Sequence, residues 1–550
     1  MADIVLERDR AWTNYHETQA FTVAEHYRYI RGNAPAPDGP ALFGASAQRL
    51  CEHLGALPGR AAAGLLGRAW SLSDIVGNPA RQLELDQLDG IAWVEGVHLH
   101  HRTRLAPRQA VFVGGGATWK QVADFVENDR QSPRTIVTSG SHLAQSVAGS
   151  IGTATGGSRL GYGGVQNQII AIHFANGPGR SIWVERASDP VIGHVAGDLC
   201  DTVIRNDGVF EDALVHLGGM GLVNGVVVET AAPARFTMLK MTKPVDATWL
   251  SWLQAGDYDA IAAWLGYPQA PVYYEVQVDP FAWDKTPAIH TLYLRTEAPL
   301  IDTPAPTRPN VPVAGLLGNL GWALSRTDLG AEACTARPAP AANRFPDTEP
   351  HPAWCQDMRN ALADLHAYYS TCLITPTTPE QSGAQTWGQL HATPPAPSQK
   401  ALIYSAAFAF SQDRLMRALP IMSKAVQGRP RHFLFTLRFT RSAAGTMAYA
   451  RFPRSVVLDF EGLKVTPEIA AACEESLTLI HRALRSARIA FSPHWAKLGP
   501  IDPTTIARGF GPETDPESRI ARWKVTRDLL LGAEGKRLFR NAALERWGLA

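Results

Sequence analysis

The sequence lacks an excess of charge of either sign. Lys and Arg total 52 and Asp and Glu total 51 in 550 residues, so the formal net charge is +1. Such a chain has no basic field to hold nucleic acid or an anionic membrane. No uncharged apolar run approaches the roughly 20 residues that cross a bilayer. We therefore expect no nucleic acid or membrane partner, and predict a small-molecule substrate.

Cysteine is also scarce. The six cysteines, at positions 51, 200, 334, 355, 372 and 473, form no Cys-x-x-Cys pair. Sparse cysteines without paired spacing predict free thiols rather than a disulfide framework. The N-terminal stretch MADIVLERDRAWTNYHE is charged and lacks the apolar core of a secretory signal, so we expect a cytoplasmic location.

Two common nucleotide-binding motifs are missing from the chain. No Gly-x-Gly-x-x-Gly opens a βαβ unit, and no glycine loop ends in Gly-Lys-Ser/Thr, which argues against a nicotinamide Rossmann site and a P-loop. The stretch HLHH, with His98, His100 and His101, invites a metal interpretation. No second ligand pair at metal spacing follows it, so we predict no metal site.

Hydrophobic patterning divides the chain into three regions. Residues 1–235 predict an α+β domain with an N-terminal extension to about residue 35, residues 236–490 a second α+β domain, and residues 491–550 a helical segment. In the first domain we predict strands in AAAGLLG, RQLELDQL, QAVFVGGG, RTIVTSG, NQIIAIHFA and NGVVVET, and helices in ATWKQVADFVENDR and DLCDTVIRND. Proline-rich loops are predicted at 307–316, 336–352 and 391–398.

Residues 138–164, TSGSHLAQSVAGSIGTATGGSRLGYGG, are dense in glycine and hydroxyl side chains. A linker would be polar throughout, whereas this run carries Leu143, Val147 and Ile151 at intervals that anchor it in a core. Glycine lets main-chain N–H groups approach a ligand with no Cβ in the way. The run, and the turn in GLLGRAWSLSD at 64–74, therefore predict a backbone wrapped around a phosphate-bearing cofactor.

Taken in order, GRAWSLSDI, LELDQLDGI, VGGGATWKQVADFV, the glycine-rich run and ALVHLGGMGLVNGVVVET resemble the PCMH-type FAD-binding domain of the vanillyl-alcohol oxidase superfamily. The likeness is greatest to its aldonolactone and alditol oxidase branch. SPHWAKLG is similar to the His-Trp-Gly-Lys signature of that branch, with Ala496 in place of the glycine. The resemblance implies a two-subdomain FAD-binding domain, an α+β cap domain over the isoalloxazine, and a C-terminal helical return to the flavin.

The resemblance also implies which residues hold FAD. The turn 67–71 lies on the pyrophosphate, the run 139–158 lies along the pyrophosphate, ribityl chain and flavin edge, and the strand at 225–228 contacts the adenine end. The implied FAD-binding residues are Gly67, Arg68, Ala69, Trp70, Ser71, Ser139, Gly140, Ser141, Gly149, Ser150, Gly152, Thr153, Gly156, Gly157, Ser158, Gly163, Gly225 and Val227.

Two positions depart from the family pattern. Many relatives attach FAD covalently through a histidine in the pyrophosphate turn, where this chain has Trp70. Tryptophan has no nucleophilic ring nitrogen for that bond, so we predict non-covalent FAD. Gly156 stands where many relatives have a histidine in Thr-His-Gly-Ser, and any polar role of that imidazole is absent here.

The candidate catalytic residues are His494, Lys497, Arg438 and Glu275. Lys497 would orient a substrate oxygen or stabilise negative charge on reduced flavin, and His494 would bind a hydroxyl or act as a base; contacts at a helix end are the alternative. Arg438 would hold a substrate oxygen or the flavin carbonyl edge, or form a structural ion pair. Glu275 and Asp459 would pair with it, unless they lie on a solvated sheet face.

These residues predict an FAD-linked oxidoreductase that oxidises a C–OH group by hydride transfer to flavin N5, with O2 as the acceptor. The alternatives are a dehydrogenase or epimerase of the same fold that does not use O2, and an FAD-binding protein that has lost catalysis. Four tryptophans of the second domain suggest a substrate larger or less polar than a sugar acid: Trp249, Trp252, Trp264 and Trp283.

Overall fold

The computed structural model describes residues 3–31, 39–59, 61–285, 287–300, 383–391, 403–429, 433–463 and 467–550. The loops predicted at 307–316 and 336–352, and at 391–398 apart from His391, lie outside this part of the chain. The strands are β1 (Asp3–Thr13), β2 (Ala20–Ile30), β3 (Gly64–Leu66), β4 (Arg81–Glu84), β5 (Ile91–Trp93), β6 (Ala110–Gly114), β7 (Ile169–Ala175), β8 (Ser181–Glu185), β9 (Thr202–Arg205), β10 (Leu222–Glu229), β11 (Phe236–Pro244), β12 (Tyr273–Val278), β13 (Pro287–Arg295), β14 (Ile403–Ser411), β15 (Phe433–Arg441), β16 (Arg454–Leu463) and β17 (Phe491–Pro493).

The helices pack against these strands and against one another. They are α1 (Gly39–Ala56), α2 (Trp119–Glu127), α3 (Val147–Gly152), α4 (Ala196–Leu199), α5 (Asp207–Leu214), α6 (Ala247–Ala255), α7 (Tyr258–Leu265), α8 (Trp387–Leu390), α9 (Leu415–Ala425), α10 (Pro467–Ser486), α11 (Pro503–Phe510), α12 (Arg519–Leu538) and α13 (Ala542–Arg546). Among the described residues, none of these helices combines the length and the apolar composition needed to cross a bilayer.

The first sheet has the strand order β1-β2-β4-β3. β1 and β2 form a long antiparallel hairpin, and β2 then pairs in parallel with β4. Residues up to about 35 were expected to form an N-terminal extension of the first domain. The structure makes this hairpin half of the first sheet.

The second sheet has the order β5-β6-β10-β7-β8-β9. β6, β7 and β8 are buried along their whole length because helices cover both faces, which explains their uninterrupted apolar runs. The helix predicted in DLCDTVIRND is wrong, since Thr202–Arg205 is β9 and pairs in parallel with β8. The strand predicted in RTIVTSG is also wrong: within it the structure forms only a bridge from Thr135 to Ala231.

The third sheet is antiparallel, in the order β11-β13-β12-β15-β16-β14-β17. One face is apolar and packs under α6, α7, α9 and α10. All four tryptophans that suggested a large substrate belong to this helix-side core, so they say nothing about the substrate. The opposite face carries polar and charged side chains and meets the glycine-rich run, where Arg159 bridges to Tyr273.

After β17 the chain returns to the second sheet. Trp523 of α12 donates its indole N–H to the carbonyl of Val215 at 2.9 Å, and Arg527 Nε donates to the carbonyl of Gly219 at 2.8 Å. The described residues after 493 are therefore helical and pack back on the N-terminal half. This confirms the predicted mixture of helices and sheets, while the two-subdomain FAD-binding architecture and its boundaries stay predictions.

Candidate functional site

The turn at residues 67–71, here called the cofactor turn, follows β3 and has an open row of donors. Within the described residues, its five backbone N–H groups make no hydrogen bond. The residues are half-buried, and Ala69 has a φ of +50°, which is rare for a residue with a side chain. Unpaired N–H groups in a half-buried turn form a concave anion site. This arrangement fits the pyrophosphate of a dinucleotide cofactor.

The cofactor turn packs directly on the glycine-rich run. A Cβ added to Gly67 would lie 2.0 Å from Ser146 Oγ, so only glycine allows this approach. In α3, which begins beside it, the Gly149 N–H has no hydrogen-bond partner in the described chain, and neither have the N–H groups of Gly156 and Gly157. The two glycine segments therefore present open donors along a shared boundary, as FAD binding requires.

Several hydroxyl side chains that were predicted to contact FAD form hydrogen bonds within the protein. Ser150 Oγ accepts the Trp119 indole N–H at 2.7 Å, and Ser139 Oγ accepts that of Trp387 at 3.0 Å. Thr153 Oγ1 donates to the Gly149 carbonyl at 2.9 Å. These side chains shape the site, and the groups left open toward a ligand are main-chain N–H groups.

Other predicted FAD-binding residues are placed as follows. A Cβ on Gly152 would meet the His216 ring at 2.4 Å, and one on Gly163 would meet Asn167 Oδ1 at 2.2 Å. A Cβ on Gly225 would lie 1.8 Å from the Phe43 ring. Val227 lies in the interior of β10, whose two edges pair with β6 and β7. The FAD contacts implied for Gly225 and Val227 stay predictions.

The remaining run residues lie beside the cofactor turn or reach the third sheet. Ser141 is exposed, and a Cβ on Gly140 would meet Thr155 Cγ2 at 2.9 Å. Arg68 Nη2 donates to the carbonyl of Asp86 at 3.2 Å. Ser158 Oγ accepts the N–H of Phe439 in β15 at 3.0 Å, which attaches the end of the run to the third sheet.

A buried charged cluster occupies the polar face of the third sheet. Arg438 Nε donates to Glu275 Oε2 at 3.2 Å, and Arg438 Nη1 lies 2.7 Å from Asp459 Oδ2. Lys497 Nζ lies 2.5 Å from Asp459 Oδ1, and the Tyr273 hydroxyl donates to Glu275 at 2.6 Å. Burial alone would raise the pKa of Asp459, but Arg438 and Lys497 hold it below the usual value. The structure thus brings Arg438, Glu275 and Lys497 together.

Glu461 is a member of this cluster that the sequence analysis missed. Its carboxylate Oε1 lies 4.0 Å from Arg438 Nη2, farther than the other two carboxylates. Burial, followed by the negative charge of Asp459, raises the pKa of Glu461. The signal was available in VVLDFEGL, because residues two apart on a strand point to the same face.

His494 lies beside the cluster in the turn after β17. Burial, followed by the positive charge of Lys497, lowers the pKa of His494 to about 3, so the ring is neutral at pH 7. Its Nδ1 accepts the N–H of Ala496 at 3.1 Å. A neutral imidazole that accepts at Nδ1 carries its proton on Nε2. His494 therefore offers an N–H donor, and Nδ1 is not available as a base.

Tyr449 lies against Gly156, the position at which the resemblance implies a histidine. A Cβ on Gly156 would lie 2.9 Å from the Tyr449 hydroxyl, and the Tyr449 and His494 ring centroids are 4.5 Å apart. The phenol is buried and makes no hydrogen bond within the described chain. Burial raises its pKa, so it stays protonated and able to donate. No motif or spacing pointed to Tyr449, which lies in the loop between β15 and β16.

The segment 494–497 joins the charged cluster to the cofactor turn. The carbonyl of Ala496 accepts the N–H groups of Leu72 at 2.8 Å and Ser73 at 3.3 Å. Ser73 Oγ donates to the carbonyl of Trp495 at 2.8 Å. One short segment thus carries His494 and Lys497 and also binds the residues after the cofactor turn, so the two predicted halves of the site meet.

The histidines of HLHH are occupied by local contacts. His98 Nδ1 accepts the N–H of Glu95 at 3.0 Å, and the rings of His100 and His101 stack at 4.3 Å. Across the described ranges, no group of three or more His, Cys, Asp or Glu side chains is placed to hold a metal ion.

Comparison with known proteins identifies the fold. No family model matches the sequence, and no curated protein matches it. Among solved structures, the chain is similar to a cholesterol oxidase from B. sterolicum, with a TM-score of 0.60 and 13% identity over 99% of this chain and 97% of that one. It is also similar to a solvent-stable cholesterol oxidase, with a TM-score of 0.61 and 14% identity over 99% and 98% of the two chains. The chain therefore has the cholesterol oxidase fold, and the alditol oxidase branch stays a prediction.

Proposed function

We propose that this chain is an FAD-dependent oxidase that oxidises a C–OH group of a small or medium organic substrate and holds FAD non-covalently. One observation carries the proposal: the open N–H groups of the cofactor turn are joined through residues 494–497 to the charged cluster around Arg438. The fold neighbours are named as oxidases of cholesterol, an alcohol, which supports an alcohol substrate here.

In this proposal one group of residues binds the cofactor and a second group binds the substrate. The N–H groups of residues 67–71, Gly149 and Gly156 would hold FAD, which when bound supplies the hydride acceptor. The indole of Trp70 makes no covalent bond to it. His494 donates its Nε2–H to the substrate oxygen, and the fixed charge of Arg438 orients that oxygen.

Glu461 is the proposed base that takes the hydroxyl proton. Glu275 and Asp459 are held in short contacts with Arg438, whereas Glu461 is 4.0 Å away and its pKa is raised. A carboxylate with a raised pKa accepts a proton more readily near neutral pH. Replacing Glu461 by Gln should therefore lower kcat and remove the ionisation that it contributes on the acid side of the pH profile.

The first experiment is a visible absorption spectrum of the purified protein, followed by acid precipitation. A flavin spectrum whose colour stays in the supernatant supports bound, unattached FAD. Colour in the pellet would show a covalent link and contradict the role given to Trp70. A colourless protein that also does not bind added FAD would overturn the proposed function.

Turnover with a panel of alcohols, from polyols to sterols, tests the reaction class. Hydrogen peroxide formed in proportion to substrate oxidised supports an oxidase. Reduction of an artificial acceptor without peroxide would favour the dehydrogenase or epimerase alternative. A flavin that is photoreduced but never reoxidised in air would favour a protein that binds FAD without catalysis.

A further inference from the structure

Two carbonyl groups of the cofactor turn, those of Ala69 and Ser71, are held by the tip of the N-terminal hairpin, residues 14–19 between β1 and β2, here called the hairpin tip. The Tyr15 N–H donates to the Ala69 carbonyl at 2.9 Å. The Asn14 side-chain amide donates to the Ser71 carbonyl at 2.7 Å. Asn14 is buried, so this contact is shielded from water.

The same tip holds the residues that follow. Thr18 Oγ1 donates to the Leu72 carbonyl at 2.7 Å, and Gln19 Nε2 donates to the Ser73 carbonyl at 2.5 Å. The Asn14 side chain is itself fixed, because it donates to Thr18 Oγ1 at 2.7 Å and accepts the Gln19 N–H at 2.9 Å. Four carbonyls in a row of five residues thus depend on one hairpin tip.

Trp70, the side chain at the centre of the turn, is enclosed by aromatic rings. The Tyr15 ring stacks on it with centroids 3.5 Å apart and planes 25° apart. The ring of His142 lies at 4.3 Å and that of His16 at 5.5 Å. Stacked rings restrict the indole, which cannot move without breaking this packing.

Holding the Ala69 carbonyl determines where the Trp70 N–H points. In a trans peptide the carbonyl of one residue and the N–H of the next point in opposite directions. Fixing the Ala69 carbonyl on the hairpin tip therefore turns the Trp70 N–H away from it, toward the open side of the turn. The left-handed conformation of Ala69, with a φ of +50°, is also stabilised by this contact.

We propose that the hairpin tip is a positioning clamp, which pre-forms the donor row of the cofactor turn and so retains FAD without a covalent bond. The inference rests on the proposed function, since the ligand of the donor row is the FAD pyrophosphate. A turn held in its binding conformation loses little conformational freedom when the ligand binds, which increases affinity.

The test measures FAD binding by apoprotein through quenching of flavin fluorescence. Tyr15→Ala and Asn14→Ala should each weaken FAD binding about tenfold, as expected for the loss of one buried contact. Tyr15→Phe keeps the stacked ring and the backbone N–H, so it should bind as the wild type does. Arg8→Ala is the matched control, because Arg8 lies on the same hairpin with 66% of its side chain exposed.

Three outcomes decide the inference. Weaker FAD binding in Tyr15→Ala with unchanged apoprotein melting, and with kcat restored by excess FAD, supports the clamp. Wild-type FAD affinity in Tyr15→Ala and Asn14→Ala overturns the clamp and leaves the proposed function standing. Wild-type apoprotein that does not bind FAD overturns both.

Discussion

Arg438 contacts two carboxylates at once, because its planar guanidinium presents several N–H donors in fixed directions. Lysine keeps the charge but loses this geometry, and one carboxylate would be left in a buried site without its partner. We expect Arg438→Lys to lower kcat/KM at least about hundredfold and to cost about 1–3 kcal/mol of unfolding free energy. Steady-state kinetics and urea unfolding measure the two effects.

Arg441→Lys provides the control for this prediction. Arg441 ends the same strand, but it is exposed and contributes its backbone N–H to the carbonyl of Tyr162. Its replacement should change neither quantity. Equal activity of Arg438→Lys and Arg441→Lys would show that Arg438 has no specific role in the reaction.

Gly156 is predicted to tolerate no side chain while Tyr449 is present. The added Cβ of alanine would lie 2.9 Å from a hydroxyl on a rigid, buried ring, so we expect Gly156→Ala to destabilise the protein by about 1–3 kcal/mol. Removing the hydroxyl with Tyr449→Phe should recover much of that loss in the double variant. Urea unfolding of the single and double variants measures this coupling.

Gly197→Ala is the corresponding control. Gly197 lies in α4, is exposed, and an added Cβ would meet nothing within 4 Å. Alanine there should be neutral or slightly stabilising, because glycine is the poorer helix former. An unchanged stability of Gly156→Ala would mean that the Tyr449 ring moves freely and does not exclude a side chain at position 156.

At this scale the sequence predicted charged residues better than their surroundings. Arg438, Glu275, His494 and Lys497 were named from strand alternation and from the resemblance, and the structure brings them to one cluster. Tyr449 could not be named, because its position depends on how a loop folds over a different sheet. Local sequence carries no information on such a contact.

Among the elements, α8 is attached to α2 by one carboxylate. Glu127 accepts hydrogen bonds from the hydroxyls of Thr135 at 2.8 Å and Thr386 at 2.6 Å and from the Gly388 N–H at 3.0 Å. We expect Glu127→Ala to cost about 2–4 kcal/mol, because three buried donors lose their acceptor. The expected signs are a lower urea midpoint and faster proteolysis at residues 383–391.

Glu127→Gln separates the hydrogen bonds from the charge. The amide oxygen can accept the same bonds as Oε1, and the amide nitrogen can donate to the hydroxyl of Thr386. Burial raises the pKa of Glu127, so the charge itself is unfavourable there. Glutamine should therefore cost less than about 1 kcal/mol, and a loss as large as that of alanine would show that the negative charge is required.

The helix with a strong apolar periodicity was predicted, whereas the partly exposed strands β1, β2 and β9 were not. The helix at 119–127 has a capping box from Thr118 to Gln121 and a continuous apolar face, and it was predicted. The strand β9 is four residues long and only partly buried, so its apolar residues fitted a helical spacing equally well. The β1–β2 hairpin was missed for a related reason: its charged, exposed face hides the alternation of a strand.

For the whole molecule, the mixture of helices and sheets was predicted but the strand order was not. Identity to the fold neighbours is 13–14%, so a similar fold is reached with a mostly different sequence. Strand pairing depends on contacts between distant residues, as when β10 inserts between β6 and β7. No local pattern specifies such a neighbour.

Stability should fall as the pH is lowered from about 6.5 to about 4. Burial lowers the pKa of six histidines to about 3 or 4, namely His53, His173, His216, His290, His481 and His494. Below 6.5 the unfolded chain binds protons at these positions that the folded chain does not, so the free energy of unfolding decreases as pH falls. Each such histidine contributes up to about 1.4 kcal/mol per pH unit. Urea midpoints between pH 8 and pH 4.5 measure the slope.

A single variant tests whether buried histidines cause that slope. His481 lies in the helix-side core of the third sheet, with ring centroids 5.1 Å from Phe408 and 4.5 Å from Phe491, and within the described chain neither of its ring nitrogens has a hydrogen-bond partner. At pH 5, His481→Leu should have a higher free energy of unfolding than the wild type. The slope of that free energy against pH should decrease by up to the contribution of one proton bound on unfolding. Burial raises the pKa of Glu127 and Asp212, so these carboxyl groups increase the free energy of unfolding as the pH falls, opposite to the histidines. The variant leaves this contribution unchanged. An unchanged slope in His481→Leu would show that this ring is protonated in the folded protein.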